Sequence, residues 1–248
     1  MWEYVPQFYI CTVQGYDKRH EQMRKFLRDM SIPRHKVTWN IVPRLHKGTQ
    51  ELSATDNHLQ VMTHAVEHGY TYVCIFEDDL YGRSSVDIPR ADDTLREYVE
   101  KNKTWDMLYL GHFPWYIQPF SHAYSVVPCI SWCIHAYFIS HRLMKHTIQY
   151  TAEQIQEYVA KRLWYVTKPG AMDTFLLLKC RDEFRSVCLY PQLVMQDSIK
   201  HWEGYATSCE WLNWVAGSWI LAVILAMFLF TLVVIHFVHH RFFRKRRH

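Results

Sequence analysis

The run Tyr70 to Phe76 (YTYVCIF) is nearly continuous apolar sequence, and it stops abruptly at three consecutive carboxylates, Glu77, Asp78 and Asp79. An unbroken apolar segment of this length is expected for a central strand covered on both faces, as in an α/β sheet. The acids at its end add a second constraint. Like charges repel, so three of them directly after a buried strand are costly unless a cation or solvent takes up the charge. A divalent metal is the simplest such cation; the plain alternative is an acidic loop or helix cap.

The flanking sequence alternates in the way such a sheet requires. Gln7 to Val13 (QFYICTV) is short, β-branched and aromatic and is followed by Gly15, which predicts a strand ending in a turn. From Asp17, residues Met23, Phe26, Leu27 and Met30 recur at helical spacing until Pro33 closes the segment. Val37 to Val42 reads as a second strand. Ser53 to His68 reads as a helix with Leu59, Met62, Ala65 and Val66 on one face and Gly69 as its stop. Further on, Asp93 to Lys101 predicts a helix, Trp105 to Leu110 a strand ending at Gly111, Ser131 to Ser140 an apolar strand, and His141 to Gln149 a helix. Ligands in open α/β sheets collect at the carboxyl ends of strands, so a site at the acidic triplet is topologically sensible.

The C-terminus has a different character. Trp214 to Val238 carries no Asp, Glu, Lys or Arg and exceeds the ~20 residues a helix needs to cross a bilayer. Trp211, Trp214 and Trp219 cluster at its start, and Arg241, Arg244, Lys245, Arg246 and Arg247 follow it. The expected organisation is an α/β domain over 1–200, a linker over 201–213, a transmembrane helix over 214–238 and a basic tail over 239–248. The net charge of +4 is therefore not a nucleic-acid signature, because removing the five basic residues of the tail leaves −1. Two rules disagree on orientation. The basic tail favours a cytoplasmic C-terminus with the domain lumenal, whereas the N-terminal residues lack a basic leader and cleavable apolar core, which favours a tail-anchored domain in the cytosol. The expectation leans to the cytosol. Seven cysteines, odd in number and without a CxxC, read mainly as buried free thiols.

The segments FYICTVQGYDKRHEQMRKFL, ELSATDNHLQVMTHAVEHGYTYVCIFEDDL, WDMLYLG, HAYFIS, AMDTFLL and YPQLVMQDS, taken in order, resemble glycosyltransferase family 25, which includes lipooligosaccharide and collagen-modifying galactosyltransferases. The resemblance spans Gln7 to Ser198. It implies a Rossmann-like, glycosyltransferase A-type domain that binds a UDP-sugar through Mn²⁺ or another divalent ion and transfers galactose or glucose to a hydroxyl of a glycan, lipid or protein. In that scheme Asp79 is the main metal ligand, Asp78 touches the ribose or reaches the metal through water, and Glu77 lies behind the metal or caps. A hard cation on carboxylates would neutralise the departing diphosphate.

The same resemblance gives other residues roles. Asp173, in GAMDTFLLL, is placed near the acceptor as base or hydrogen-bond partner, while Asp before an apolar helix is equally a preferred N-cap. Thr12 and Arg19 border the first strand and suit contact with the nucleotide, Arg19 by offsetting phosphate charge. His58 either lines the donor pocket or packs; it stands six residues from His64, which is no same-face spacing for a metal. Gln196 matches a recurring glutamine. The stretch LSATDNHLQ departs from the family pattern before the metal motif, which bears on acceptor specificity and activity. A catalytically silent, membrane-tethered binding module is the alternative. A phosphotransferase ranks behind both because no GxxxxGK[ST] loop occurs.

Overall fold

The computed structural model describes residues 1–43, 50–83, 85–101, 104–117, 123–162, 171–196 and 226–228. The chain divides into two compact units, Met1–His201 and Trp202–His248. Of the second unit only Ala226, Met227 and Phe228 are described; they are helical and exposed. The rest of the 214–238 segment lies outside the described residues, and among the described ones no helix is long and apolar enough to cross a membrane.

The first unit is a mixed α/β domain. Among the described residues eight strands run in chain order: β1 (Phe8–Val13), β2 (Val37–Val42), β3 (Tyr72–Glu77), β4 (Leu80–Gly82), β5 (Met107–Ile117), β6 (Ser125–Ser140), β7 (Ser186–Tyr190) and β8 (Val194–Gln196). Six described α-helices accompany them: α1 (Asp17–Asp29), α2 (Gln50–Glu67), α3 (Ile88–Lys101), α4 (His141–Thr147), α5 (Ala152–Arg162) and α6 (Ala171–Asp182). The main sheet has the order β2-β1-β3-β6-β5-β7, and β4 pairs with β8 in a separate two-stranded ribbon. β1 is parallel to both β2 and β3, and β5 is parallel to β7, whereas β6 is antiparallel to both its neighbours β3 and β5.

Side-chain alternation along the strands builds a core on each face of this sheet. Phe8, Ile10, Cys74, Phe76, Leu108, Ala136 and Phe138 pack with Met23, Phe26 and Met30 of α1 and Leu95 and Val99 of α3. Tyr9, Cys11, Val73, Ile75, Tyr109, Tyr137 and Ile139 pack with Leu59, Met62 and Ala65 of α2, with Leu143 and Met144 of α4, and with Phe175 of α6. Both faces of β3 are thus covered, which explains its unbroken apolar run.

Several boundaries differ from expectation for identifiable reasons. β3 begins at Tyr72, because the amide of Tyr70 still closes the end of α2 on the Ala65 carbonyl behind Gly69, whose φ is +70°. α3 begins at Ile88, five residues before the expected Asp93, because Asp87 caps it by accepting from the Arg90 amide and Pro89 fits the first turn. β5 does not end at Gly111 but continues to Ile117, and β6 starts at Ser125. Gly111 is a point of close approach: a β-carbon there would lie 2.3 Å from Nε2 of His135 on β6 and 2.8 Å from the Val194 carbonyl.

Asp106 ties the lower ends of three strands together. Its buried carboxylate accepts from Arg142 Nε at 2.8 Å, from a second Arg142 nitrogen, from Ser140 Oγ at 3.0 Å and from the Arg185 amide at 3.0 Å. Burial alone would raise its pKa, but the Arg142 guanidinium, the Arg185 amide and Ser140 overturn that and hold it below the ordinary value of 3.8. A depressed folded-state pKa stabilises above the unfolded value and loses that contribution as pH falls through the folded one. Because Arg142 is largely exposed, Asp106→Asn is expected to cost about 2 kcal/mol at pH 6. Urea titrations should show the gap to the parent shrinking below ~pH 4, where the parent carboxyl itself protonates.

Candidate functional site

The chain passes from β1 through α1 to β2 on one side, then returns through α2 to place β3 on the other side of β1. The strand order therefore reverses between β1 and β3, and at such a switch the carboxyl ends of the two strands part to leave a crevice. A hollow of about 180 Å³ opens there, lined by Thr12, Arg19, Asn57, His58, Glu77, Asp78 and Asp79 among others. Six of the sequence-predicted residues come together in it.

Each of the three acids meets a different environment. Asp78 is buried; its Oδ2 accepts a short hydrogen bond from the Thr12 hydroxyl, and its Oδ1 accepts from Arg19 at 2.9 Å. Thr12 in turn accepts from His20 Nε2 at 2.7 Å. Asp79, 9% exposed, has its Oδ2 3.9 Å from the same Arg19 nitrogen. Glu77, the last residue of β3, faces His58 Nε2 at 3.3 Å. Arg19 reaches these carboxylates because the turn at Gly15, with φ +85°, redirects the chain and starts α1 over the crevice.

His58 is buried and satisfied at both ring nitrogens: Nδ1 meets the Tyr137 hydroxyl at 2.9 Å and Nε2 meets Glu77. Burial by itself would disfavour its charge, but Cys11 beside Nδ1 and the Glu77 carboxylate outweigh burial and push its pKa up to about 10. Reciprocally, burial would raise Glu77, and the His58 cation holds it below its ordinary value. His58 thus both packs and lines the hollow. His64 is elsewhere, bonded to the Tyr9 hydroxyl at 2.7 Å and stacked on His68.

Within the protein the triplet is faced by Arg19 and by His58, whose raised pKa favours its cation. Among the described residues no three His, Cys, Asp or Glu side chains converge to cage a metal. The donor set instead fits a cation completed by a ligand: magnesium-like ions commonly take one or two carboxylates and fill the rest of their shell with phosphate oxygens and water. Asp78 and Asp79, which both line the hollow, have that composition.

Asp173 does not line the hollow. It is the third residue of α6, inside the first turn and not at the cap position that its sequence context suggested. Its charge still reaches the site: burial chiefly, with added repulsion from Cys11, Glu77 and Asp173, keeps the Tyr137 hydroxyl well above its ordinary pKa, and that hydroxyl holds His58. The backbone of Gln196 pairs with Leu80, directly after the triplet.

Four residues escaped the sequence reading. His20 and Asn57 brace the end of β1, Asn57 by donating to the Thr12 carbonyl at 3.0 Å and by accepting from Asn40 at 2.8 Å. Tyr137 positions His58. His135 is buried on β6, one residue before Ala136, which pairs with Phe76; among the described residues neither of its ring nitrogens has a hydrogen-bond partner. Burial, against the pull of Glu77, lowers its pKa to about 4. A larger cavity of about 720 Å³ opens on another face of α2, beside Leu59, Gln60, Tyr150 and Glu153, and holds none of the predicted residues.

No protein-family model matches this chain, and no curated protein matches it. Among solved structures, a glycosyltransferase involved in glycosylation of the major capsid of PBCV-1 matches at 10% identity and TM-score 0.43, covering 74% of this chain and 81% of that one. Mannose-1-phosphate geranyltransferase from Thermus thermophilus matches at 9% identity and TM-score 0.43, covering 79% and 76%. The nucleoside-diphosphate-sugar pyrophosphorylase from Vibrio cholerae matches at 13% identity and TM-score 0.37, covering 79% and 77%. Likenesses this distant assign neither family nor function.

Proposed function

We propose that this chain is a glycosyltransferase related to family 25, transferring a hexose from a UDP-sugar to a hydroxyl of a glycan, lipid or protein acceptor, and anchored to a membrane by its segment 214–238. One observation carries the reading: Thr12, Arg19, His58 and the Glu77–Asp79 triplet share a hollow at the point where the strand order reverses. Its volume of about 180 Å³ suits the charged middle of a donor, with the base and the sugar extending outward.

Charge explains the metal in this reading. Among the described residues Arg19 and His58 are the cations that face the three carboxylates, so negative charge predominates there and works against a bare diphosphate. A divalent cation held by Asp79 and, through water, by Asp78 would reverse that sign and neutralise charge on the departing diphosphate. Arg19, whose guanidinium is already aimed at the hollow, binds a phosphate oxygen. Thr12 and His20 keep Asp78 oriented, and Tyr137 and Glu77 keep His58 in place. Asp173 takes the acceptor proton.

A screen of the purified full chain against nucleotide sugars, with and without Mn²⁺, tests this. Hydrolysis of UDP-galactose or UDP-glucose only in the presence of Mn²⁺ is the expected result, and turnover indifferent to metal would overturn the role given to the triplet. Asp173→Asn should lower kcat ~100-fold or more while leaving UDP affinity within about twofold, as expected for a base that meets the attacking hydroxyl and not the nucleotide.

One observation favours a second reading. Both oxygens of Asp78 are engaged inside the protein, as in a pocket that serves shape and not catalysis. A silent, membrane-tethered module of this kind would turn over no donor and would show no metal-dependent UDP binding.

A further inference from the structure

At the far end of α1 from this hollow lies a groove of about 440 Å³ between that helix and β2. Leu27, Ile32 and Trp39 floor it, and Arg24, Arg28 and Arg34 rim it. Arg24 sits over the Trp39 ring, 5.4 Å from its centroid. Neighbouring lysines are neutralised, Lys25 by Asp29 at 2.5 Å and Lys36 by Glu3 at 3.0 Å. Among the described residues no carboxylate pairs with any of the three arginines. A rim of exposed guanidinium groups around an apolar floor is complementary to an anionic ligand with an apolar body.

The second observation concerns the backbone. β2 is the outermost strand, paired with β1 on one side and, among the described residues, with no strand on the other. Such an edge offers a row of amide and carbonyl groups to an incoming strand. Val37 and Trp39, two residues apart, turn their side chains toward α1, so a strand added beside β2 would present every second side chain to the same groove. Those side chains would meet Arg24, Arg28 and Arg34.

We propose that this groove and the β2 edge together form a docking site for an acidic extended peptide of another protein, bound by strand addition with its alternate carboxylates on the three arginines. A small anion would use the arginines and leave the edge unpaired. A lipid surface is too flat to enter a cleft between helix and strand. A neutral peptide would bury guanidinium groups without partners. The proposal is independent of the donor chemistry, because β2 is parallel to β1 and Val37 marks its amino end, whereas the hollow lies at the carboxyl ends.

The test uses the full chain in detergent and a fluorescent peptide of alternating glutamate and valine, followed by anisotropy. Saturable binding is expected. It should weaken about tenfold or more in the triple variant Arg24→Glu/Arg28→Glu/Arg34→Glu, and in the milder triple Gln variant, whose side chains are exposed and leave the core untouched. It should weaken similarly when alternate peptide amides are N-methylated, which removes strand pairing but no charge. Undiminished binding by the triple Gln variant would overturn the site. Equal affinity for the N-methylated peptide would reduce it to charge attraction and overturn strand addition. Arginine-dependent binding to phosphatidylserine vesicles with no binding of the peptide would assign the groove to a lipid surface and overturn the proposal.

Discussion

Asp79→Ala is expected to abolish Mn²⁺-dependent UDP binding, lowering affinity ~100-fold or more, which corresponds to about 2.7 kcal/mol. The size follows from the charge balance of the hollow. Losing Asp79 removes one carboxylate from the hollow, so bare UDP meets less repulsion than in the parent. The variant should therefore bind UDP about equally with and without metal, whereas the parent should show a steep Mn²⁺ dependence by calorimetry. A thermal melt of the same sample separates this loss from unfolding. A variant that retained full metal dependence would remove Asp79 from the metal and return the triplet to a purely internal role. Asp78→Ala is a poorer probe, because Thr12 and Arg19 would both lose their acceptor.

Among the described glycines, Gly111→Ala should be the most disruptive substitution. The new β-carbon would stand 2.3 Å from His135 Nε2 and 2.8 Å from both His135 Cδ2 and the Val194 carbonyl. His135 is 2% exposed, and the carbonyl is backbone. Overpacking of this kind costs about 3 kcal/mol or more. Urea midpoints of the single and double variants separate the two clashes. His135→Ala in the Gly111→Ala background should recover only part of the loss, because removing the imidazole leaves the Val194 carbonyl in place. Full recovery would assign the entire cost to the ring.

How much of this was legible in the sequence depended on the range of the interaction. β1, α1 and β2 could be placed closely because periodicity and turn chemistry are local, and the apolar run of β3 reports that both its faces are covered. The antiparallel course of β6 was not legible, since an apolar strand buried on both faces reads alike in either direction. Gly111 looked like a strand terminator because nothing near it in sequence announces His135, which stands on the next strand.

The triplet was visible at once, yet its partners were not. Thr12 and Arg19 lie 66 and 59 residues from Asp78, and His58 lies 19 residues from Glu77. Read alone, the acids called for an external cation. In the fold, Arg19 and His58 face these acids from within the protein. The placement of Asp173 depended on where α6 begins; Asp in the third helical position and Asp at the cap differ by a boundary shift too small for periodicity to resolve.

The pairing of Leu80 with Gln196 carries a consequence for biosynthesis. β8 is the last described strand of the domain to be made, yet it braces the residue that immediately follows the acidic turn. A nascent chain that has emerged only as far as Tyr190 already carries every acid and base of the hollow but lacks that brace. On the ribosome the site is therefore among the last parts of the domain to set, and a chain truncated before Val194 would keep the reactive groups without the strand that holds their turn in position.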